Sequence, residues 1–137
     1  MNDTKEAVIL VDLYAGAYGP TIRIILNTRQ QLESFLDKLR SLASNEDVTI
    51  ALEQLSNFAL SGIGSFVLQT VPSIPALPKH LTVSGDHNPS IVWKQTRQEW
   101  KRAAGLIEVF TTSDEAGHHY LTDEGIDDAL VEVAYQE

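Results

Sequence analysis

The chain of 137 residues has no cysteine, which excludes disulfide scaffolds, thiolate zinc sites and cysteine nucleophiles. Positive charge is scarce. Ten Lys and Arg stand against nineteen Asp and Glu, a net charge of −9. That balance argues against partners such as nucleic acid or an anionic membrane. Long apolar runs are missing too. The longest, Ala7 to Val11, is far too short to span a bilayer, and from the acidic start Met1-Asn2-Asp3 no secretory leader is expected. The expectation is one cytoplasmic domain covering residues 1–137, long enough to bury a core without covalent help.

What the sequence does contain is an internal duplication. Residues Thr21 to Leu32 match Ser90 to Trp100 with one residue deleted, at an offset of 69 in the strand and 68 in the helix. Gly16 and Pro20 correspond to Gly85 and Pro89. Thr28-x-x-Gln31 and Thr96-x-x-Glu99 both read as capping boxes, in which the threonine oxygen takes a free backbone N–H of the first helical turn. Behind the first box Leu32, Phe35, Leu36, Leu39 and Leu42 fall on one stripe. Behind the second, Trp100, Ala103, Ala104, Ile107 and Phe110 fall on the same stripe. The strands before the helices alternate, with Ile22, Ile24 and Leu26 matched by Ile91 and Trp93.

Further strands are predicted at Val48 to Leu52, Ser65 to Val71, Gly117 to Leu121 and Ala129 to Tyr135, while Glu53 to Gly64 reads equally as a short helix or a loop. Pro72, Pro75 and Pro78 recur every third residue, as suits a semi-rigid connector. The predicted fold is therefore α+β. Two hairpin–helix–strands units, about 7–71 and 79–135, are joined by the connector 72–78, with both helices on one face of a mostly antiparallel sheet. The other sheet face would carry Val8, Leu10, Tyr14, Ile25, Val92, Leu121 and Leu130 mixed with Asp12, Arg23, Lys94 and Glu132. Such a face either closes a core within the chain or meets a partner, including a second copy in a homodimer.

Charge is unevenly placed. Residues 114–137 hold eight carboxylates and no Lys or Arg. Among them Asp114, Glu115, Asp123, Glu124, Asp127, Asp128 and Glu132 form a candidate docking surface for a basic protein; the alternative is a solvated face that keeps the chain soluble.

No catalytic constellation stands out, and no cofactor or metal is predicted. His118-His119 on a strand point to opposite faces and cannot easily serve one ion. Alignment on the repeat sets His118 against Ile50 and Tyr120 against Leu52, so His118 and Tyr120 are expected under the helix and His119 outside. His87 and the Asp127-Asp128 pair read as turn residues. Gly62-Ile63-Gly64-Ser65 lacks the lysine, spacing and helix of a phosphate loop. Trp93 and Trp100 fall on core-facing positions. A second functional reading is a small-molecule or regulatory module with a site between the repeats near Trp93, His118 and Tyr120. A third is an enzyme using His118, His119 or Asp128.

Trp93-x6-Trp100, Gly117-His118-His119-Tyr120-Leu121 and Asp127-Asp128-Ala129-x-Val131-x-Val133 give residues 90–137 a pattern that resembles small acidic bacterial immunity proteins of polymorphic-toxin and contact-dependent inhibition systems. The resemblance implies a non-catalytic inhibitor that binds a cognate toxin, often a nuclease or deaminase, and blocks its active site. It assigns no individual functional residue.

Overall fold

A computed structural model describes residues 8–17, 19–45, 47–72, 80–113, 115–122 and 127–137. The two capped stripes become the two helices, α1 at Arg29–Ser44 and α2 at Arg97–Ser113. Thr28 Oγ1 accepts the Gln31 amide at 3.1 Å, and Gln31 Oε1 reaches back to accept the Asn27 amide at 2.7 Å. In α2 the box is reciprocal: Thr96 Oγ1 accepts from the Glu99 amide at 3.3 Å, and Glu99 Oε1 from the Thr96 amide at 3.0 Å. Every stripe residue is buried.

The strands are β1 (Ile9–Gly16), β2 (Gly19–Leu26), β3 (Thr49–Ala51), β4 (Phe58–Ser61), β5 (Ser65–Thr70), β6 (Leu81–Ser84), β7 (Ser90–Gln95), β8 (Gly117–Tyr120) and β9 (Leu130–Tyr135). The fold is α+β, with the helices packed against sheets. In detail the strands divide between two mixed sheets, ordered β4-β1-β2-β9-β8 and β3-β5-β7-β6. The stretch between β3 and β5 that reads ambiguously in the sequence is a 3-10 turn at Leu52–Gln54 followed by β4, which adds parallel to β1.

The two sheets exchange strands between the repeats. The β1–β2 hairpin of the first repeat pairs with β9 and β8 of the second, and the β6–β7 hairpin of the second pairs with β5 and β3 of the first. Both junctions are parallel and equal in length: Thr21–Leu26 runs beside Leu130–Tyr135, and Ser90–Gln95 beside Ser65–Thr70. Even the closing bonds correspond, with the Gln136 amide donating to Leu26 O at 2.8 Å and the Val71 amide to Gln95 O at 3.0 Å. Parallel pairing is thus confined to these junctions and to β1–β4; every hairpin pair is antiparallel.

The helices pack on each other. Arg40 of α1 meets Glu108 of α2 at 2.7 Å, and these residues are equivalent positions, 68 apart. Equivalent residues touch only on an axis relating the two copies, so this ion pair marks a pseudo-two-fold. Beneath the helices lies one apolar core, built by Ile22, Ile24 and Leu26 of β2, Val131, Val133 and Tyr135 of β9, and Trp93 of β7. Trp93 and Trp100 meet edge to face with centroids 4.7 Å apart, and Trp100 Nε1 donates to Gln69 O at 3.1 Å. Connector residues 73–78 lie outside the described residues. Among the described residues no helix is long and apolar enough to cross a membrane.

Candidate functional site

A duplicated scaffold supplies its own control. Positions that serve only folding have the same demands in both copies, so places where the copies differ in chemistry mark what the scaffold does not require. The outer sheet faces, away from the helices, differ in this way.

Three registered rows cross each outer face. In the four-stranded sheet they read Ser84, Ser90 and Ser65; Thr82, Val92, Val67 and Ala51; and Lys94, Gln69 and Thr49. The equivalent rows of the five-stranded sheet read Tyr14, Thr21 and Leu130; Asp12, Arg23, Glu132 and Tyr120; and Leu10, Ile25, Ala134 and His118. Small, mostly neutral side chains on one sheet are replaced on the other by two tyrosines, large aliphatics, a histidine and three charges.

The charged row is linked. Arg23 Nη2 donates to Asp12 Oδ2 at 3.1 Å, and the Arg23 guanidinium lies 4.8 Å from the centroid of the Tyr14 ring. Tyr14 OH donates to Glu132 Oε1 at 2.8 Å. Glu132 is buried, at 7% exposure, whereas Leu10 and Tyr120 are 40% and 41% exposed. The hydrogen bond to Glu132, followed by burial, raises the Tyr14 pKa; the hydrogen bond to Asp12 raises that of Arg23. Asp12 Oδ1 and Arg23 Nε are buried without a hydrogen-bond partner among the described residues. The centre of this face therefore holds a polar network that the described residues leave incomplete.

At the β8 edge His118 Nδ1 meets Glu137 Oε2 at 2.9 Å, which raises the histidine pKa. The His118 and Tyr120 rings approach edge on, with centroids 5.7 Å apart. Ligand atoms of His118, Glu132 and Glu137 lie within 4.8 Å of one another, near enough for one divalent ion. Each is already paired, His118 with Glu137 and Glu132 with Tyr14, so the cluster is satisfied as an ion-pair network.

The structure reverses the expected facing of β8. His119 is the residue turned toward α2, its ring 5.1 Å from Phe110, while His118 and Tyr120 are exposed on the outer face. Pairing shows why: His119 sits opposite Val133 as Ile50 sits opposite Leu68. The true counterpart of Ile50 is thus one residue further on than the alignment placed it, and a one-residue slip on a strand inverts every side chain. Trp93 is fully buried and shares no surface with His118 or Tyr120, so the ligand set Trp93, His118 and Tyr120 does not assemble. Leu121 packs against the core instead of lying outside.

The described carboxylates of the acidic tail do not share one surface either. Asp127 Oδ1 accepts from the His80 and Leu81 amides at 2.6 and 2.9 Å, and Asp128 Oδ2 from the Val83 amide at 2.9 Å. These two carboxylates cap the free edge of β6, which needs acceptors for its exposed N–H groups. Glu115 is exposed beside α2; among the described tail carboxylates only Glu132 belongs to the charged row, with Glu137 close to it. Asp114, Asp123 and Glu124 lie outside the described residues. Asp12, Arg23 and Tyr14 complete the site from the other end of the chain. Their signal in the sequence was the departure from the repeat, Asp12 against Thr82 and Arg23 against Val92.

In comparisons with known proteins the chain matches no family model, no curated protein and no solved structure.

Proposed function

We propose that this chain is a non-catalytic binding protein of the immunity type, acting in the cytoplasm, which engages a basic protein through the outer face of its five-stranded sheet and so neutralises it. One observation carries the reading. The row Asp12–Arg23–Glu132–Tyr120 stands where the equivalent sheet has Thr82–Val92–Val67–Ala51. Aromatic anchors beside partly buried charges are the composition of a protein interface. Asp12, Glu132 and Glu137 outnumber Arg23, so the face favours a cationic partner. The resemblance of residues 90–137 to immunity proteins points to a cognate toxin enzyme as that partner.

The test is co-expression with the product of the reading frame adjacent in the native genome, reading complex formation and cell growth. Wild-type protein should bind and protect, with affinity falling steeply as salt rises. Tyr120→Ala together with Leu10→Asp should lose at least tenfold in affinity, whereas Thr82→Asp on the opposite sheet should lose nothing. Equal loss from both sheets, or none from either, would overturn the proposal. A chain that sediments as a dimer through the same face would identify a second copy as its occupant.

A further inference from the structure

A cavity of about 150 Å³ opens between α2, the end of β7 and the segment after β8. It is a local departure from the duplication. Gln95 and Ala103, which line it, stand where the first repeat has Leu26 and Phe35, both fully buried. A large apolar pair has become a small residue and a polar one. A cavity near this size accepts a ligand the size of a benzene ring.

Its hydrogen-bonding capacity is unevenly used. Gln95 is nine-tenths buried, and its Nε2 has no partner among the described residues. Trp93 Nε1, two residues back on the same face of β7, is likewise unpartnered. Arg102 lines the cavity and makes no ion pair among the described residues. The acids are differently placed. Glu99 is taken up by the α2 cap and by His80 Nε2 at 3.2 Å. Asp127 gives Oδ1 to backbone amides and keeps its second oxygen and its charge. One residue with an unmet donor, one cation unpaired among the described residues and one available carboxylate therefore line a space whose remaining wall includes Leu106 and Leu121, while Trp93 lies outside it.

We propose that this cavity binds a small zwitterion of the aliphatic α-amino-acid class. Arg102 and the Gln95 amide take the carboxylate, Asp127 takes the ammonium, and Ala103, Leu106 and Leu121 receive the side chain. A ligand carboxylate would supply the acceptor that the described residues do not give to Gln95 Nε2. The inference does not rest on the docking proposal: it uses neither Asp12, Arg23 nor Glu132, and although Tyr120 borders both the cavity and the docking face, none of its test variants touches that residue.

Isothermal titration of the full chain with L-valine, and with L-alanine and L-leucine alongside, tests it. At least one should bind saturably. Isovalerate and isobutylamine, which lack the ammonium and the carboxylate of valine, should each bind at least tenfold more weakly than L-valine. Arg102→Ala, an exposed position, and Asp127→Asn, which keeps an acceptor for both amides, should each weaken binding at least tenfold. Ala103→Phe, restoring the residue of the first repeat, should abolish it. No saturable binding of any of the three amino acids, isovalerate binding as well as L-valine, or unchanged affinity in Arg102→Ala would overturn the proposal.

Discussion

Converting the charged row to its equivalent, Asp12→Thr with Arg23→Val and Glu132→Val, separates a functional row from a structural one. If the charges hold the fold together, their removal destabilises it; if they serve binding, the fold loses little. Losing the Tyr14–Glu132 hydrogen bond costs about 1.5–3 kcal/mol, and the freed Tyr14 hydroxyl, half-buried, can still reach water. Valine at 132, which is 7% exposed in the present chain, returns about 1.5 kcal/mol of apolar burial, and the desolvation cost of a buried carboxylate, several kcal/mol, disappears. The Asp12–Arg23 pair, with side chains 23% and 39% exposed, contributes about 1 kcal/mol or less through solvent screening. The triple variant should therefore be as stable as wild type, or more stable by about 1–2 kcal/mol, from the same terms. Arg23→Val alone should lose about 2–3 kcal/mol, because it strands Asp12 and Glu132 on a partly buried face. Urea unfolding followed by tryptophan fluorescence measures both. A triple variant as destabilised as Arg23→Val alone would refute the reasoning and make the row a structural one.

Two further outcomes follow from local geometry. Thr28→Ala and Thr96→Ala should each cost about 1 kcal/mol in urea unfolding, with equal effects at the two sites if the caps are equivalent; a loss confined to one would show that only that box operates. His118 is held above its ordinary value of 6.5 by its hydrogen bond to Glu137. The stability this pair contributes is fully present below about pH 6.5 and is lost as pH rises through the higher folded-state value. Glu137→Gln should return the His118 titration, followed by NMR, to the ordinary value and flatten the pH dependence of unfolding; an unchanged titration would remove Glu137 as the cause.

Both helices were legible in the sequence because each rests on local signals, a cap and a stripe, that tertiary context had no reason to override. The strand exchange was not. Hydrophobic alternation says which side chains share a face, but it is blind to which strand lies alongside, and parallel neighbours such as β2 and β9 are more than a hundred residues apart. The β8 facing failed for a sharper reason: the duplication carries unequal offsets, and a strand has no tolerance for a slip of one. Where the described tail carboxylates lie was not legible either, because net charge is counted along the chain while a surface is assembled across it. Asp127 and Asp128 lie within five residues of Glu132 in sequence, yet they cap the edge of one sheet while Glu132 sits in the other. Arg23 and Asp12, from the far end, are its actual neighbours in the row.

The exchange also has a consequence for how such a chain assembles. Residues 1–72 hold β1 to β5 and α1, but β2 finds its parallel neighbour in β9, whose counterpart in that half is β5. One copy of the fragment would leave both strands without the partner their pattern requires, and two copies would supply it, each β2 beside the other's β5 in the register that Ser90–Gln95 takes with Ser65–Thr70. The fragment should therefore dimerise, and sedimentation should show a concentration-dependent species of twice its mass. The axis would then place Arg40 against Arg40, where the intact chain has Arg40 against Glu108 at 2.7 Å. Side chains there are about half exposed, so repulsion between them is worth roughly 0.5 kcal/mol. Mixing the fragment with its Arg40→Glu variant should consequently favour the heterodimer, by about twofold over the statistical proportion. Folded monomers, or a fragment unfolded at every concentration, would refute this view of the duplication. A dimer indifferent to the mixture would put the axis somewhere other than between Arg40 and Glu108.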